Sequence, residues 1–475
     1  MRASIYSPET RKWWTLAAVA FGLFMIMLDN TVVNVALPSI QRDLDIGLSE
    51  LEWIVTGYAL SFAALMLTGG KVADMIGRRR VFVLGIIVFT GASFLCGIAS
   101  SSEVLIGARV LQGVGAALMN PATLSIISAT FPPRERGTAI GIWAGVSALA
   151  LAIGPLVGGL LTEHIGWEWI FFINVPVGIL GIAASYVFID ESKDTSHEQR
   201  LDLPGLLTSG IGLFALTYAL IEANTYGWTS GRIVGAFAVA AVMLVAFVLL
   251  ERHQRLPMLD LSLFRSGTFT GANLVVLLVG FAMFGIFLFI SLYMQNVIGY
   301  SAVEAGAAFL PMTVLIILIA PIAGKTTDRI GSRWLMTAGM TLIAGQLLYL
   351  STLGVGADYW DLLPAMLVGG IGMALTMTPS AAAAVRSVPV DKSGVGSAVL
   401  NSFRQVGGSI GIAVMGAIMA HEIAGRPGPQ PFVDGLSVTL RVAALIAVAG
   451  AVVAAVLVRP HAREDHAEAV EASAA

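Results

Sequence analysis

The chain has 475 residues, of which 57% are hydrophobic and only 12% charged, with a formal net charge of -3 and a mean hydropathy of +0.84. No soluble core requires that much apolar chain, so a sizeable water-soluble domain is excluded, and the charge balance gives no reason to expect nucleic acid as a partner. The single cysteine, Cys96, excludes an intrachain disulfide and reads as a small buried hydrophobe.

At about 20 residues per crossing, the apolar runs accommodate about fourteen membrane-spanning helices. They are expected at Trp13 to Val35, Leu51 to Gly70, Val81 to Ala99, Val104 to Ser128, Gly137 to Thr162 and Trp169 to Phe188. After a polar stretch from Asp190 to Arg200 come Leu203 to Ile221 and Ile233 to Leu250. The series closes with Phe269 to Met294, Ala305 to Gly324, Trp334 to Leu353, Leu362 to Val385, Val395 to Ala420 and Val438 to Val458. The first run is longer than the apolar region of a signal peptide and other spans follow at once, so it is expected to be retained. Histidines are sparse and never paired at metal-ligand spacing, and no metal or cofactor is expected. Gly324, Lys325 and Thr326 look like the end of a phosphate loop, but Ile319 stands where its first glycine belongs, which points away from direct ATP drive.

The stretch GKVADMIGRR from Gly70 to Arg79 returns as GKTTDRIGSR from Gly324 to Arg333, with Gly70, Lys71, Asp74, Ile76, Gly77 and Arg79 repeated. A charged turn repeated between the same kind of apolar flanks marks an internally duplicated transporter, the alternative being coincidence in two solvated loops. Basic residues are lopsided. The even-numbered loops and the termini carry most of them, including Arg2, Lys71, Arg78, Arg79, Arg80, Arg200, Arg255, Lys325, Arg333, Arg386, Lys392 and Arg463, against Arg42, Arg232, Arg426 and Arg441 opposite. That asymmetry predicts that both chain ends are cytoplasmic.

Arg109 and Arg404 fall inside spans, where a charge costs about 2.5 to 3.5 kcal/mol on insertion scales and needs a partner or a wet cavity. Asp29 is the carboxylate well inside a run, and at about 1.5 Å per residue it lies at a depth compatible with Arg109. An acid whose burial and charged neighbour change between two states can load and release a proton. A permanent Asp29 to Arg109 pair, or a polar cap at a kink near Asn34, is the structural alternative. Gln112 follows Arg109 by one turn, and Asn401 precedes Gln405 on one helix face.

Leu28 to Pro38 reads LDNTVVNVALP, Leu105 to Ala117 reads LIGARVLQGVGAA, Gly154 to Gly159 reads GPLVGG, and Gly394 to Gly411 reads GVGSAVLNSFRQVGGSIG. In this order, together with the two charged turns, they resemble the fourteen-span drug/proton antiporters of the major facilitator superfamily. Ala150 departs from the pattern where span 5 often has glycine, and Glu168 stands where the segment opening span 6 is usually basic.

Proton coupling at Asp29 and Arg109 is expected from charges held at membrane depth, and the resemblance adds to that reading. It implies an antiporter motif at Gly154, Pro155, Gly158 and Gly159, where the functional reading is a bend that closes a leak path and the bland one is ordinary small-residue packing. Gating is assigned to Gly70, Asp74, Gly77, Arg78, Asp328, Gly331 and Arg333; lipid anchoring is the alternative for the arginines of the first turn. A substrate cavity is expected from Asn34, Trp53, Tyr58, Gln112, Tyr293, Asn401, Arg404 and Gln405, with buried interhelical packing as the alternative.

The expected architecture is an all-α polytopic membrane protein of the major facilitator fold. A six-helix bundle over 1–200, two inserted helices over 201–260, a second six-helix bundle over 261–460 and a cytoplasmic tail over 461–475 compose it. The expected activity is efflux of amphipathic compounds, cationic ones among them, in exchange for protons, by a non-enzymatic monomer in lipid at the bacterial inner membrane. A metabolite carrier working by uptake and a non-transporting membrane sensor are the rivals. The direction of pH-driven movement separates the first, and absence of flux for any bound ligand would favour the second.

Overall fold

The structure, a computed structural model, describes residues 8–193, 201–254, 257–388, 393–424, 426 and 428–459. The expected tail over 461–475 and the basic residues Arg2, Arg200, Arg255, Lys392 and Arg463 lie outside the described residues.

Long helices account for almost all of the described chain, and no strand occurs among the described residues. They are α1 (Pro8–Leu44), α2 (Leu48–Ile76), α3 (Arg78–Gly97), α4 (Ser102–Thr130), α5 (Pro133–His164) and α6 (Trp169–Phe188, interrupted at Ile173). Then come α7 (Leu203–Tyr226) and α8 (Gly231–His253). The remainder are α9 (Gly267–Tyr293), α10 (Ala302–Ile330, interrupted at Phe309), α11 (Ser332–Leu350), α12 (Tyr359–Arg386), α13 (Ser393–Ile423) and α14 (Gln430–Leu457). Among the described residues 13 helices are long and apolar enough to cross a membrane. The fourteenth, α11, has 19 residues and carries Arg333, Thr337, Thr341 and Gln346.

Apolar runs locate these helices but not their ends, because a helix continues past its apolar stretch wherever its polar side chains find partners. Thus α1 extends beyond Trp13 to Val35 in both directions, and α2 starts at Leu48, which carries Glu52 inside the helix. Side chains that accept from orphan N–H groups set several starts. Ser101 caps α4 and Ser230 caps α8, while Ser301 with Glu304, and Asp358 with Asp361, form capping boxes for α10 and α12.

Among the first six helices the principal packings are α2 on α4, α3 on α4, α1 on α5 and α3 on α6. The same pairs return eight helices later as α10 on α12, α11 on α12, α9 on α13 and α11 on α14. The offset of eight leaves α7 and α8, between the two sets of six helices, outside the repeated packing pattern. In that pair α8 packs on α7, and α7 lies on both α2 and α13, so it spans the junction of the two halves. Asp202 ties down its base. The carboxylate accepts from Gly205 N at 2.8 Å, Gln254 Nε2 at 2.9 Å and Met258 N at 3.2 Å. Burial pushes this carboxyl up, but those bonds hold it below the ordinary range.

Candidate functional site: a buried charge cluster within the first half

Helices α1, α2, α3 and α4 bring together a closed polar cluster. Asp29 and Arg109 are each 1% exposed and Gln112 is fully buried. Arg109 Nη1 donates to Asp29 Oδ2 at 2.6 Å and to Gln112 Oε1 at 2.6 Å. Gln112 Nε2 in turn donates to Asp29 Oδ1 and to Ser93 Oγ, both at 2.8 Å. The remaining guanidinium edge bonds the Ile54 carbonyl through Nε at 3.0 Å, and the Tyr58 ring lies 4.3 Å from the guanidinium carbon. Glycines permit this approach of helices: a Cβ on Gly113 would collide with Ser61 and with the Tyr58 carbonyl.

No such cluster forms among the described residues of the second half. Arg404 is partly buried on α13, and its Nε has no hydrogen-bond partner. Gln405 is fully buried with both amide atoms unpartnered. Asn401 bonds only the Ser397 carbonyl of its own helix, at 3.1 Å. Backbone packing around them is tight, since a Cβ on Gly280 would collide with the Arg404 carbonyl and one on Gly407 with the Leu277 carbonyl.

The halves are joined on the side opposite the chain ends. Gly154 and Gly158 of α5 accommodate Thr31 and the Val32 carbonyl of α1. Gly159 lies against the backbone of Ala302 and Val303 on α10, and Gly306 lies against the Pro155 carbonyl. Glu163 accepts from Val303 N at 2.9 Å, and Gln295 Nε2 donates to the Val35 carbonyl at 2.9 Å. Small residues here let the backbones of the two halves touch.

The two charged turns differ. Gly77 (φ 125°) and Gly331 (φ 83°) both adopt a backbone region that favours glycine. In the first turn Asp74 Oδ1 accepts from Arg78 Nε at 2.8 Å. Glu191, after α6, accepts from Arg79 N at 3.1 Å, and its carboxylate lies 3.9 Å from Arg79 Nε and 3.6 Å from Arg80 Nε. In the second turn Asp328 pairs with Arg386 at the end of α12, while Arg333 Nε has no partner and its guanidinium lies 5.0 Å from the Trp334 ring centre. Both aspartates are therefore bonded within their own half. Gly70 abuts Pro121, where a Cβ would lie 3.3 Å from the proline Cβ.

Of the expected cavity residues, Tyr58 and Gln112 join the Asp29 cluster, and Asn34 lies a turn beyond Asn30, whose carbonyl it bonds at 3.1 Å. Trp53 does not join them: its Nε1 donates to Glu222 on α7 at 3.1 Å. Tyr293 is also elsewhere, its hydroxyl bonding the Gly354 carbonyl in the loop after α11. Sequence reasoning missed Ser93, Ile54, Glu52 and Glu191. Ser93 carries no signal in an apolar run, whereas Glu191, following the acid Asp190 at the end of a span, was open to notice as a partner for two arginines.

Residues 19–412 match the family described as Major Facilitator Superfamily. The chain belongs to the major facilitator superfamily. This major facilitator protein is 37% identical over 418 residues to the tetracenomycin C resistance and export protein of Streptomyces glaucescens, covering 87% of this chain and 77% of that one. It is 37% identical over 465 residues to the puromycin resistance protein pur8 of Streptomyces alboniger, covering 96% and 92%. Identity to the multidrug resistance protein Stp of Mycobacterium tuberculosis is 37% over 417 residues, covering 88% and 77%. In fold it is similar to the crystal structure of a bacterial homologue of the human lysosomal transporter Spinster, in an inward-facing and unoccupied conformation. The TM-score is 0.66 at 17% identity, over 95% of this chain and 97% of that one. As a major facilitator it is an integral membrane carrier of small molecules that sits in lipid.

Proposed function

We propose that this protein exports amphipathic, drug-like compounds across the bacterial inner membrane in exchange for protons. It works as a monomer with both chain ends in the cytoplasm, and residues 1–200 and 261–460 rock about a central cavity with 201–260 inserted between them. The names of the relatives, which are resistance and export proteins, support the substrate class. The basic residues on the chain-end side support the orientation. Contacts between the halves through Gly159, Gly306 and Glu163, on the side opposite the chain ends, support reading the described conformation as cytoplasm-open.

The observation that carries the proton reading is the coordination of Asp29. Both of its oxygens accept from Arg109 or Gln112, so as an anion it is paired and hydrogen-bonded for as long as those donors stay in place. A change in the depth or tilt of α4 relative to α1 would exchange the Arg109 bond for a proton taken from the outer side. One proton moving down the membrane potential supplies about 2.3 kcal/mol per 100 mV, and a pH difference adds about 1.36 kcal/mol per unit. Those magnitudes suffice for accumulation gradients without nucleotide.

The test is efflux of a panel of compounds from energised vesicles, with Asp29→Asn beside wild type. The variant is expected to insert normally and to lose pH-driven efflux. Wild-type pH dependence in Asp29→Asn would refute the assignment, and pH-driven movement of substrate toward the cytoplasm would refute export.

A further inference from the structure

Glu52 is 2% exposed, yet it belongs to no part of the Asp29 cluster. It lies on α2 where that helix meets α13 and α7, on the side away from the chain ends. Its carboxyl fills the notch left by Gly416, where a Cβ would collide with it. Oε2 is buried and has no hydrogen-bond partner. The donors in this neighbourhood go to another acid: Ser49 Oγ and Trp53 Nε1 both bond Glu222 Oε1 on α7, at 3.1 Å each. Next to the notch, Asn224 of α7 donates to the Ala417 carbonyl at 2.6 Å and pins α7 to α13. Three helices from both halves and from the insertion thus enclose a carboxyl group whose Oε2 has no donor, and no cation pairs with it among the described residues.

We propose that Glu52 is a second proton-binding site, one that seals the outer seam: α2, α13 and α7 close over it only when it carries a proton. An ionised carboxylate enclosed without a partner costs several kcal/mol, whereas the neutral acid can be enclosed at much lower cost. Opening the seam toward the outer side hydrates the group and lets the proton go. The surrounding charges do not offer another way to neutralise it. On α7 the facing acid is Glu222. On α4, Arg109 is held by Asp29, Gln112 and Ile54. On α13 the stretch from Ile412 to Ala420 holds no titratable residue, and beyond it Glu422 is paired with Arg426 while His421 is exposed. On α8, Arg232 stacks on Tyr226 and Tyr218.

This inference rests on the alternating-access reading above, and its test is kept separate from Asp29. Spin labels at Asp43→Cys and Ala424→Cys, in a Cys96→Ala, Asp29→Asn background, report the width of the outer seam in reconstituted protein. The ratio of closed to open seam is expected to rise by up to about tenfold per unit fall in pH, the slope of one bound proton. Glu52→Gln, the neutral isostere, is expected to stay closed at every pH, Glu52→Asp to keep the response, and Glu222→Gln to move its midpoint toward acid by removing a neighbouring negative charge. A pH response that is absent from the Glu52-bearing background, or that survives unchanged in Glu52→Gln, overturns the proposal. If instead wild-type efflux ignores the pH gradient while the seam still responds, the exchange mechanism fails and this site stands.

Discussion

The two halves pack alike but treat their charges in opposite ways. At mid-depth in the first half, Arg109 is held by a carboxylate, an amide oxygen, a backbone carbonyl and a tyrosine ring. In the second half, Arg404 has an unpartnered Nε and Gln405 an unpartnered amide. The turns repeat the contrast, with Glu191 gathering Arg79 and Arg80 in the first and Arg333 left with only a tryptophan ring in the second. The repeated backbone packing thus carries different polar work: around Asp29 the first half pairs its buried groups, whereas around Arg404 and Gln405 the second leaves donors free. Buried unsatisfied donors are costly unless something else binds them, so Arg404 and Gln405 are the groups on which the cavity reading of the second half rests.

The sharpest way to break this contrast is to remove each buried arginine in turn. Arg109→Ala strands the Asp29 carboxylate and is expected to cost about 3–5 kcal/mol, the usual penalty for leaving half of a buried pair. Arg404→Ala strands nothing and is expected to stay within about 1 kcal/mol of wild type, while lowering efflux. Thermal unfolding in detergent beside vesicle transport separates the two. Equal destabilisation by both variants would mean that the halves are not divided in this way.

The next largest effect is expected at the turn glycines. Gly77→Ala and Gly331→Ala each force a side chain into an unfavourable backbone region, at about 1–3 kcal/mol. A Cβ at Gly77 would also lie 2.6 Å from the Glu191 carboxylate. That substitution should therefore lower the unfolding temperature by more than the backbone penalty alone, and in Glu191→Gln the excess should shrink.

Most of this architecture was legible in the sequence because apolar runs and a repeated turn are local signals. The Asp29 and Arg109 partnership was legible too, since two opposite charges at one depth in lipid have few other options. Trp53 and Tyr293 were not, because an aromatic residue inside an apolar run reads the same whether it meets Glu222, the Gly354 carbonyl or a cavity. Glu52 escaped notice for a different reason. The hydropathy run starts at Leu51, which puts the acid at a helix end, but α2 begins at Leu48 and continues through it. Expectations about bond partners across 100 residues or more, such as Glu191 with Arg79, need the fold.

Glu191→Gln tests whether the first turn owes its rigidity to a charge or only to a shape. The amide keeps an acceptor for the Arg79 N–H but loses its attraction to the two guanidinium groups, so about 1 kcal/mol is expected. Hydrogen exchange should then rise at Gly77 to Arg80 and remain as it was at Gly331 to Arg333.

The smallest effect is expected at the second turn's own acid. Asp328 and Arg386 are 62% and 49% exposed, so water screens their attraction and Asp328→Asn should cost about 0–1 kcal/mol. Asp74→Asn, whose pair with Arg78 is only 30% and 19% exposed, should cost more. Stability is not the informative readout for either, because a gate is a balance between two states of similar free energy. Each aspartate bonds within its own half, so neutralising it removes a contact that holds its turn on the chain-end side. Cysteine labelling on the chain-end side should therefore change more in Asp74→Asn than in Asp328→Asn, and the reverse order would assign the gate to the second turn.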